Sequence, residues 1–248
     1  MNLDYLREQH GRVLDLAGEH LVLCGWALLV AIVVALPVGT IISRFPATSF
    51  PVLGTLDVFY AVPTLAFLSF LIPILPRVSR WIHRLVPFLP DTWIALEGLG
   101  TDPAVIALAA YAQLALVRNI ATALRGVDPA LLEAARGMGM TSQQVLLKVR
   151  LPLAAPILLA GVRIAAVSII SLASVTAWVG AGGLGTLLFD GITRDYPSMI
   201  LAGTVAIVGI ALAVDLLFRL LERLTPTSRA YQIHRIRPVL AATAEAGP

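Results

Sequence analysis

The chain has 248 residues, of which 58% are hydrophobic and 13% charged, and its mean hydropathy is +0.87. This balance excludes an ordinary soluble globular protein and predicts an all-α, polytopic membrane helix bundle, because several apolar runs reach the roughly 20 residues that a spanning helix needs. The net charge of +3 is attributed to basic residues on cytoplasmic loops, and nucleic acid is not an expected partner. The single cysteine, Cys24, lies in an apolar run, so neither a disulfide framework nor a metal site is expected.

The N-terminal part of the chain is predicted to hold an amphipathic segment and two membrane spans. Residues 1–20 place apolar side chains on one helical face, which is typical of a helix lying on the lipid surface and not of a signal peptide. The first span is predicted over residues 21–42. The second is predicted over residues 52–74, with an interruption at Pro63.

The second span is expected to close at Pro73 and Pro76. Residues 77–102 alternate basic and apolar side chains, which favours an interfacial helix anchored at the headgroups by Trp81 and Trp93. A re-entrant segment or a sixth crossing is the alternative for this stretch.

A third span, over residues 104–124, leads into a polar-flanked segment at residues 128–152 that reads as a helical hairpin. Asp128 is a natural N-cap, Gly139 suits the left-handed end of a helix, and Thr141 with Gln144 forms a capping box. An apolar stripe on this hairpin predicts a docking element for another protein: Leu131, Leu132, Ala135 and Met138.

The C-terminal part of the chain is predicted to hold two further spans, over residues 153–178 and 199–221. Between them, residues 179–198 form a connection rich in glycine: Gly180, Gly182, Gly183 and Gly185. Residues 21–222 are thus expected to form one transmembrane domain, followed by a polar, disordered cytoplasmic tail at residues 223–248.

Basic residues set the expected topology. With the hairpin in the cytoplasm, five spans place 11 of the 18 basic residues inside and 6 outside, with Arg163 in the membrane. This distribution agrees with the positive-inside rule.

The hairpin carries a motif. Glu133-Ala134-Ala135, Gly139 and Leu151-Pro152 at these offsets resemble the EAA loop of bacterial ABC importer permeases, with Val149 where isoleucine is usual. The resemblance implies a cytoplasmic coupling helix seated in a groove of a separate ATPase subunit, which would bind ATP and Mg²⁺ while this chain binds no cofactor. The other interpretation is an ordinary surface helical hairpin, with Glu133 stabilising its helix through the dipole by about 0.3–1 kcal/mol.

Further stretches resemble the osmoprotectant branch of these permeases, among them residues 62–66, Tyr111, residues 160–163 and residues 179–185. The resemblance implies import of glycine betaine, choline, carnitine or proline betaine across a bacterial inner membrane. It also implies a second permease subunit and an extracytoplasmic substrate-binding protein as partners. The longer stretch at residues 77–102 departs from this branch.

Within the spans, ionisable and aromatic residues are the functional candidates. Asp57, Arg163 and Asp215 are costly to leave unpaired in lipid, so Arg163 is predicted to pair with Asp215 or Asp57, as a structural pair or as a gate. Tyr60, Pro63, Trp178 and the glycine-rich connection are candidates for the substrate pathway and outer gate: an aromatic face suits a quaternary ammonium group, although packing is the commoner role.

Other functions are less compatible with the sequence. A membrane enzyme would need a convergent catalytic cluster, but the four histidines are scattered and lack metal-ligand spacing. A secondary transporter or channel would favour inverted repeats, which the sequence does not show. Permeases for methionine, phosphonate or sulfonate are the nearest alternatives within the transporter class.

Overall fold

The computed structural model describes residues 4–86 and 95–224, and helices dominate both ranges. The α-helices are α1 (Asp4–Glu8), α2 (His10–Arg44), α3 (Ser49–Ala61), α4 (Thr64–Leu85), α5 (Thr101–Arg125), α6 (Pro129–Gly137), α7 (Ser142–Val145), α8 (Leu151–Thr176), α9 (Gly185–Thr193) and α10 (Pro197–Leu224). A π-helical turn at Leu146–Arg150 joins α7 to α8, and 3₁₀ turns occupy Pro46–Thr48 and Ala177–Val179.

Five helical stretches in the described ranges are long and apolar enough to cross a membrane. They are α2, α4, α5, the run Ser142–Val179 that contains α8, and α10. The predicted all-α bundle of about five membrane helices is therefore confirmed.

Helix α5 lies at the centre of the bundle and packs against α2, α3, α4 and α8. Small residues let its neighbours approach closely. A Cβ atom at Gly39 of α2 would lie 2.6 Å from Ile120 Cγ2, and one at Gly161 of α8 would lie 2.7 Å from Asn119 Cβ. Such small-residue contacts are the usual means of packing helices in lipid, where the hydrophobic effect does not drive association.

Backbone contacts at the two ends of α5 define how the helices run. Arg150 Nε, just before α8, donates to Leu124 O at 2.7 Å, whereas Gly100 N, just before α5, donates to Val179 O at 2.8 Å. Helices α5 and α8 are therefore antiparallel. We call the end with Arg150 the hairpin end and the end with Val179 the opposite end.

From Ser49 onward, the chain runs antiparallel to α5, from the hairpin end toward the opposite end. Arg125 contacts Ser49, Arg118 contacts Asp57 and Tyr111 donates to Val62 O, so successive residues of α3 meet successively earlier turns of α5. Helix α3 ends at Ala61 and α4 begins at Thr64, which confirms the interruption predicted at Pro63. The break lies partway along α5.

The predicted end of the second span is wrong. Helix α4 passes through Pro73 and Pro76 and ends at Leu85, so the first part of the predicted interfacial helix continues this helix. Leu68, Leu71 and Leu75 form a buried face of α4, and this packing outweighs the backbone hydrogen bonds that the prolines remove. Trp81 is exposed on α4, whereas Trp93 lies outside the described residues.

The N-terminal segment is not a helix separate from the first span. Apart from the short α1, residues 10–44 form one continuous helix that passes residue 20 without a break. At 1.5 Å per residue its 35 residues extend about 52 Å, more than the roughly 30 Å hydrocarbon core of a bilayer. The amphipathic residues therefore extend the first membrane helix.

The hairpin is formed by α6 and α7 with the caps that its sequence predicts. Asp128 accepts a hydrogen bond from Ala130 N, Thr141 and Gln144 form a reciprocal capping box, and Gly139 adopts a φ of +80°. The second helix of the hairpin is interrupted just before Pro152 by the π-helical turn at Leu146–Arg150, and Pro152 itself lies in the first turn of α8, where its missing N–H disturbs least.

The glycine-rich connection also differs from the prediction, since residues 185–193 of it form α9. The predicted fifth span corresponds to α10. Of the predicted tail at residues 223–248, the part from residue 225 onward lies outside the described residues.

Candidate functional site

The apolar stripe of the hairpin has a part that packs against the bundle and a part that is exposed. Ala135 is 2% exposed and Leu132 packs against the core of the bundle, so these two residues anchor the hairpin to its own chain. Leu131 and Met138 are 48% and 73% exposed. Ala135 is therefore covered by its own chain, contrary to the expectation that it faces a partner, whereas Leu132 is half-buried and Leu131 and Met138 are exposed.

The remaining motif residues surround this stripe. Glu133 and Ala134 are exposed on α6, Gly139 closes the turn, and Leu151 packs against the core where α8 begins, followed by Pro152. The hairpin thus presents a small polar and apolar surface while its base is tied into the bundle.

The helix break at Val62–Pro63 lies beside a group of aromatic rings. Tyr60 packs edge-on against Tyr111 with ring centroids 6.2 Å apart, and Phe67 packs against Tyr111 at 5.9 Å. Tyr60 and Pro63 are exposed in the single chain. In the interior of a membrane protein, irregular backbone is tolerated where it is buried against protein or lines a water-filled cavity.

Trp178 does not join these rings. It lies in the 3₁₀ turn after α8, beside the Val179–Gly100 hydrogen bond at the opposite end. Tyr111 lies 11 residues along α5 from Gly100, about 16 Å at 1.5 Å per residue. The two aromatic candidates, Tyr60 and Trp178, are therefore at different depths.

Glu19 of α2 binds the glycine-rich segment at the opposite end, and the next residue, His20, binds α8 beside it. Glu19 Oε2 accepts a hydrogen bond from Gly183 N at 3.0 Å, and buried His20 donates from Nε2 to Ile170 O at 3.0 Å. Gly180, Gly182 and Gly183 have φ of +80°, +77° and +73°, which only glycine adopts readily.

Close packing explains the glycine at position 185. Side-chain contacts to the N-terminal helices also hold the segment in place. A Cβ atom at Gly185 would lie 2.1 Å from Ser174 O. Arg12 pairs with Asp190 at 3.4 Å, and Tyr5 packs edge-on against Tyr196. The segment is therefore not a free linker.

A cleft of about 690 Å³ opens beside this segment. Glu19, Trp26 and Asp102 line it together with Gly180 and Gly182, while most of the remaining lining is apolar. Sequence reasoning missed Glu19, His20 and Arg12, although a charged residue inside a long apolar helix is a signal that could have identified Glu19.

Arg163 forms the most extensive ion-pair network in the described part of the chain. Arg163 binds Asp215 and Glu222, both at 2.9 Å, and Asp215 also binds Arg219 at 2.6 Å. This network joins α8 to the hairpin-end half of α10 and confirms the pairing of Arg163 with Asp215. Glu222 and Arg219 were not predicted as members.

Asp57, the alternative partner predicted for Arg163, pairs with Arg118 instead. It pairs with Arg118 at 3.0 Å, and the two side chains are 53% and 54% exposed, against 21–25% for Arg163, Asp215 and Glu222. Asp57 therefore joins α3 to α5 and takes no part in the Arg163 network.

These features define a multi-pass helical membrane protein with a partly exposed hairpin at one end and a broken helix within the bundle. The chain belongs to the family of binding-protein-dependent transport system inner membrane components, whose sequence model matches residues 27–225. The family consists of transport components, which agrees with the class indicated by the hairpin motif.

Curated relatives support this membership over most of the chain. The carnitine transport permease protein OpuCB of Listeria monocytogenes is 36% identical over 223 residues, covering 90% of this chain and 92% of the relative. The osmoprotectant import permease protein OsmW of Salmonella typhimurium is 35% identical, covering 90% of this chain and 97% of the relative. The choline transport system permease protein OpuBB of Bacillus subtilis is 32% identical, covering 90% and 94%.

Solved structures share the fold. A chain of the MetNI methionine ABC transporter in an inward-facing conformation matches with a TM-score of 0.69 at 23% identity, covering 84% of this chain and 93% of that one. A chain of an amino acid ABC transporter crystallised with histidines matches with a TM-score of 0.62 at 16% identity, covering 92% and 99%.

We expect Gly183→Val to lower uptake and the melting temperature in detergent more than Gly180→Val does. Both positions require a left-handed backbone, which costs a residue with a Cβ atom about 1–2 kcal/mol. Only at Gly183 would the new Cβ also meet His20, 3.0 Å from Nδ1, whereas nothing lies within 4 Å at Gly180. Equal losses in the two variants would show that packing against α2 is unimportant.

We expect Arg163→Ala to lower the melting temperature more than the matched variant Arg118→Ala. The first leaves two acidic side chains of a partly buried network without their shared partner, whereas the second breaks a half-exposed pair. Exchanging the charges, Arg163→Asp with Asp215→Arg, should recover part of the loss. Full stability and uptake with Arg163→Ala would refute a role for the pair.

Proposed function

We propose that this chain is the permease subunit of an ATP-driven importer in a bacterial cytoplasmic membrane, and that it carries quaternary-ammonium osmoprotectants such as glycine betaine, choline or carnitine. The observation that carries the proposal is the capped hairpin, whose base is anchored in the bundle while Leu131 and Met138 remain exposed. The substrate class is supported by relatives named for carnitine, choline and osmoprotectants at 32–36% identity.

The hairpin would seat in a groove of a separate ATPase subunit. Leu131 and Met138 would enter the groove, and exposed Glu133 would orient α6 by pairing with a basic group of the ATPase. ATP and Mg²⁺ would be held by that partner, since the sequence of this chain has no phosphate-binding loop motif. Closure of the ATPase around nucleotide would then move the hairpin as a rigid body.

The substrate would pass the helix break at Val62–Pro63, at an interface with a second permease subunit. The break exposes Tyr60 next to the rings of Phe67 and Tyr111, and aromatic faces attract a quaternary ammonium cation through the ring quadrupole. A second subunit would cover this exposed surface, since α3 packs mainly against α5 within the single chain.

The opposite end would receive the extracytoplasmic substrate-binding protein. The shape of the segment from Trp178 to Gly185 is supported there by the bond from Gly183 N to Glu19 and by the packing of Gly183 against His20. This segment would act as the outer gate, opening when the helices on either side of it separate.

Reconstitution in liposomes tests the proposed function. With an ATPase subunit and a binding protein from the same importer, we expect uptake of radiolabelled choline or glycine betaine that depends on ATP, and faster ATP hydrolysis when the binding protein is loaded. Methionine serves as the control substrate. Uptake of methionine without uptake of either quaternary ammonium compound would refute the substrate assignment.

We expect the double variant Leu131→Ala, Met138→Ala to lose affinity for the ATPase while its own melting temperature is unchanged. Both side chains are exposed in the single chain, so their truncation removes contacts only from the complex. Burying one such side chain contributes about 1.5–3 kcal/mol, so the dissociation constant should rise at least tenfold in a pull-down titration. Gln143→Ala, on the second helix of the hairpin, is the matched control. Unchanged affinity of the double variant would contradict the proposed docking.

A further inference from the structure

Two arginines at the hairpin end cap the last turns of membrane helices. The last carbonyl groups of an α-helix have no partner within the helix, and a guanidinium group satisfies them while interacting favourably with the helix dipole. Arg150 caps α5 through Leu124 O, and Arg125 caps α2 through Ile42 O. Both carbonyls belong to fully or almost fully buried residues, where an unpaired backbone group is costly.

Arg150 links the hairpin to the central helix. It is the last residue of the π-helical turn that follows α7, and its Nε lies 2.7 Å from Leu124 O. A displacement of the hairpin therefore acts on the end of α5 through this bond as well as through the connecting chain between Arg125 and Pro129.

Arg125, which follows Leu124 in the chain, links the end of α5 to α2 and α3. Its Nη2 donates both to Ile42 O, at the end of α2, and to Ser49 Oγ, at the start of α3. Ser49 Oγ in turn lies 3.4 Å from Ile42 O. The ends of α2, α3 and α5 thus meet at one guanidinium group.

Helix α3 extends from this junction to the helix break. Its 13 residues span about 20 Å, with Ser49 at the junction and Tyr60 next to the break. Asp57 binds Arg118 midway, and beyond its end Val62 O accepts from Tyr111. A displacement of α3 at Ser49 would therefore also displace the backbone at Val62–Pro63.

We infer that Arg150 and Arg125 form a relay that transmits movement of the hairpin through the end of α5 and along α3 to the helix break at Val62–Pro63. They are positioning residues, because each acts through the helix end that it caps. The relay rests on the proposed function, because it assumes that an ATPase moves the hairpin.

The test measures movement of α3 directly in the assembled transporter. Cys24 is the only cysteine of the chain and is buried, so Val58→Cys adds an exposed labelling position on α3. In this parent protein, ATP should change the rate of maleimide labelling. Adding Arg150→Gln or Arg125→Gln should abolish that change and lower the substrate transported per ATP hydrolysed by about tenfold, the effect of losing one charge-assisted hydrogen bond. Binding of the ATPase should persist.

Arg44→Gln is the matched control. Arg44 is exposed at the end of α2, and its substitution removes the same charge from the same end of the bundle without uncapping a carbonyl group. It should behave like the parent protein. If Arg44→Gln also abolishes the labelling response, the effect is one of general charge and the relay is overturned.

Two milder variants keep the test decisive if a glutamine variant does not assemble. Arg125→Lys retains the charge but lacks the planar group that bridges Ile42 and Ser49, and Ser49→Ala removes one acceptor. Both should weaken the labelling response, and combining them should add little. A full response in both overturns the relay, whereas failure of the ATPase to bind even the parent protein overturns the proposed function itself.

Discussion

The close approach of α2 and α8 to the central helix α5 is the constraint on which the rest of the structure depends. Gly39 and Gly161 leave no room for a Cβ atom against the side chains of Ile120 and Asn119, so these helices pack more closely than any other residue at the two positions would allow. In lipid, such contacts replace the hydrophobic effect as a source of helix association. They also set the positions of the helix ends, and the capping bonds of Arg125 and Arg150 require those ends to lie within one side-chain length of each other.

The two ends of the bundle are built differently, and this difference suits a protein that must move. At the hairpin end, the guanidinium groups of Arg125 and Arg150 cap buried carbonyl groups. Their charge-assisted hydrogen bonds fix the orientation of the helix ends. At the opposite end, the glycine-rich segment is held by the bond from Gly183 N to Glu19, by the Arg12–Asp190 pair and by packing of Gly183 against His20. In the proposed function, the hairpin end receives movement from the ATPase and the glycine-rich segment opens as the outer gate.

Several features of the candidate site were accessible to sequence reasoning because they depend on local chemistry. The caps at Asp128 and Thr141 and the left-handed turn at Gly139 follow from hydrogen bonds within a few residues of each other. The cost of an unpaired charge in lipid predicted an acidic partner for Arg163, either Asp215 or Asp57, and the structure shows Asp215. Which of the stripe residues remain exposed did not follow, because helical periodicity identifies an apolar face without telling whether the same chain or a partner covers it.

The sequence by itself determined the class, the approximate number of membrane helices, the interruption at Pro63 and the capped hairpin, since each depends on composition or on residues close together in the chain. Only the tertiary structure decided that α4 continues through Pro73 and Pro76, because the packing of its leucine face outweighs the local preference of proline. The same holds for contacts between residues distant in sequence: Asp57 with Arg118, Glu19 with Gly183, and Arg125 with the ends of two other helices. Local sequence patterns specify where a helix begins and ends. Which distant residues pair depends on which helix ends and faces the packed bundle brings into contact.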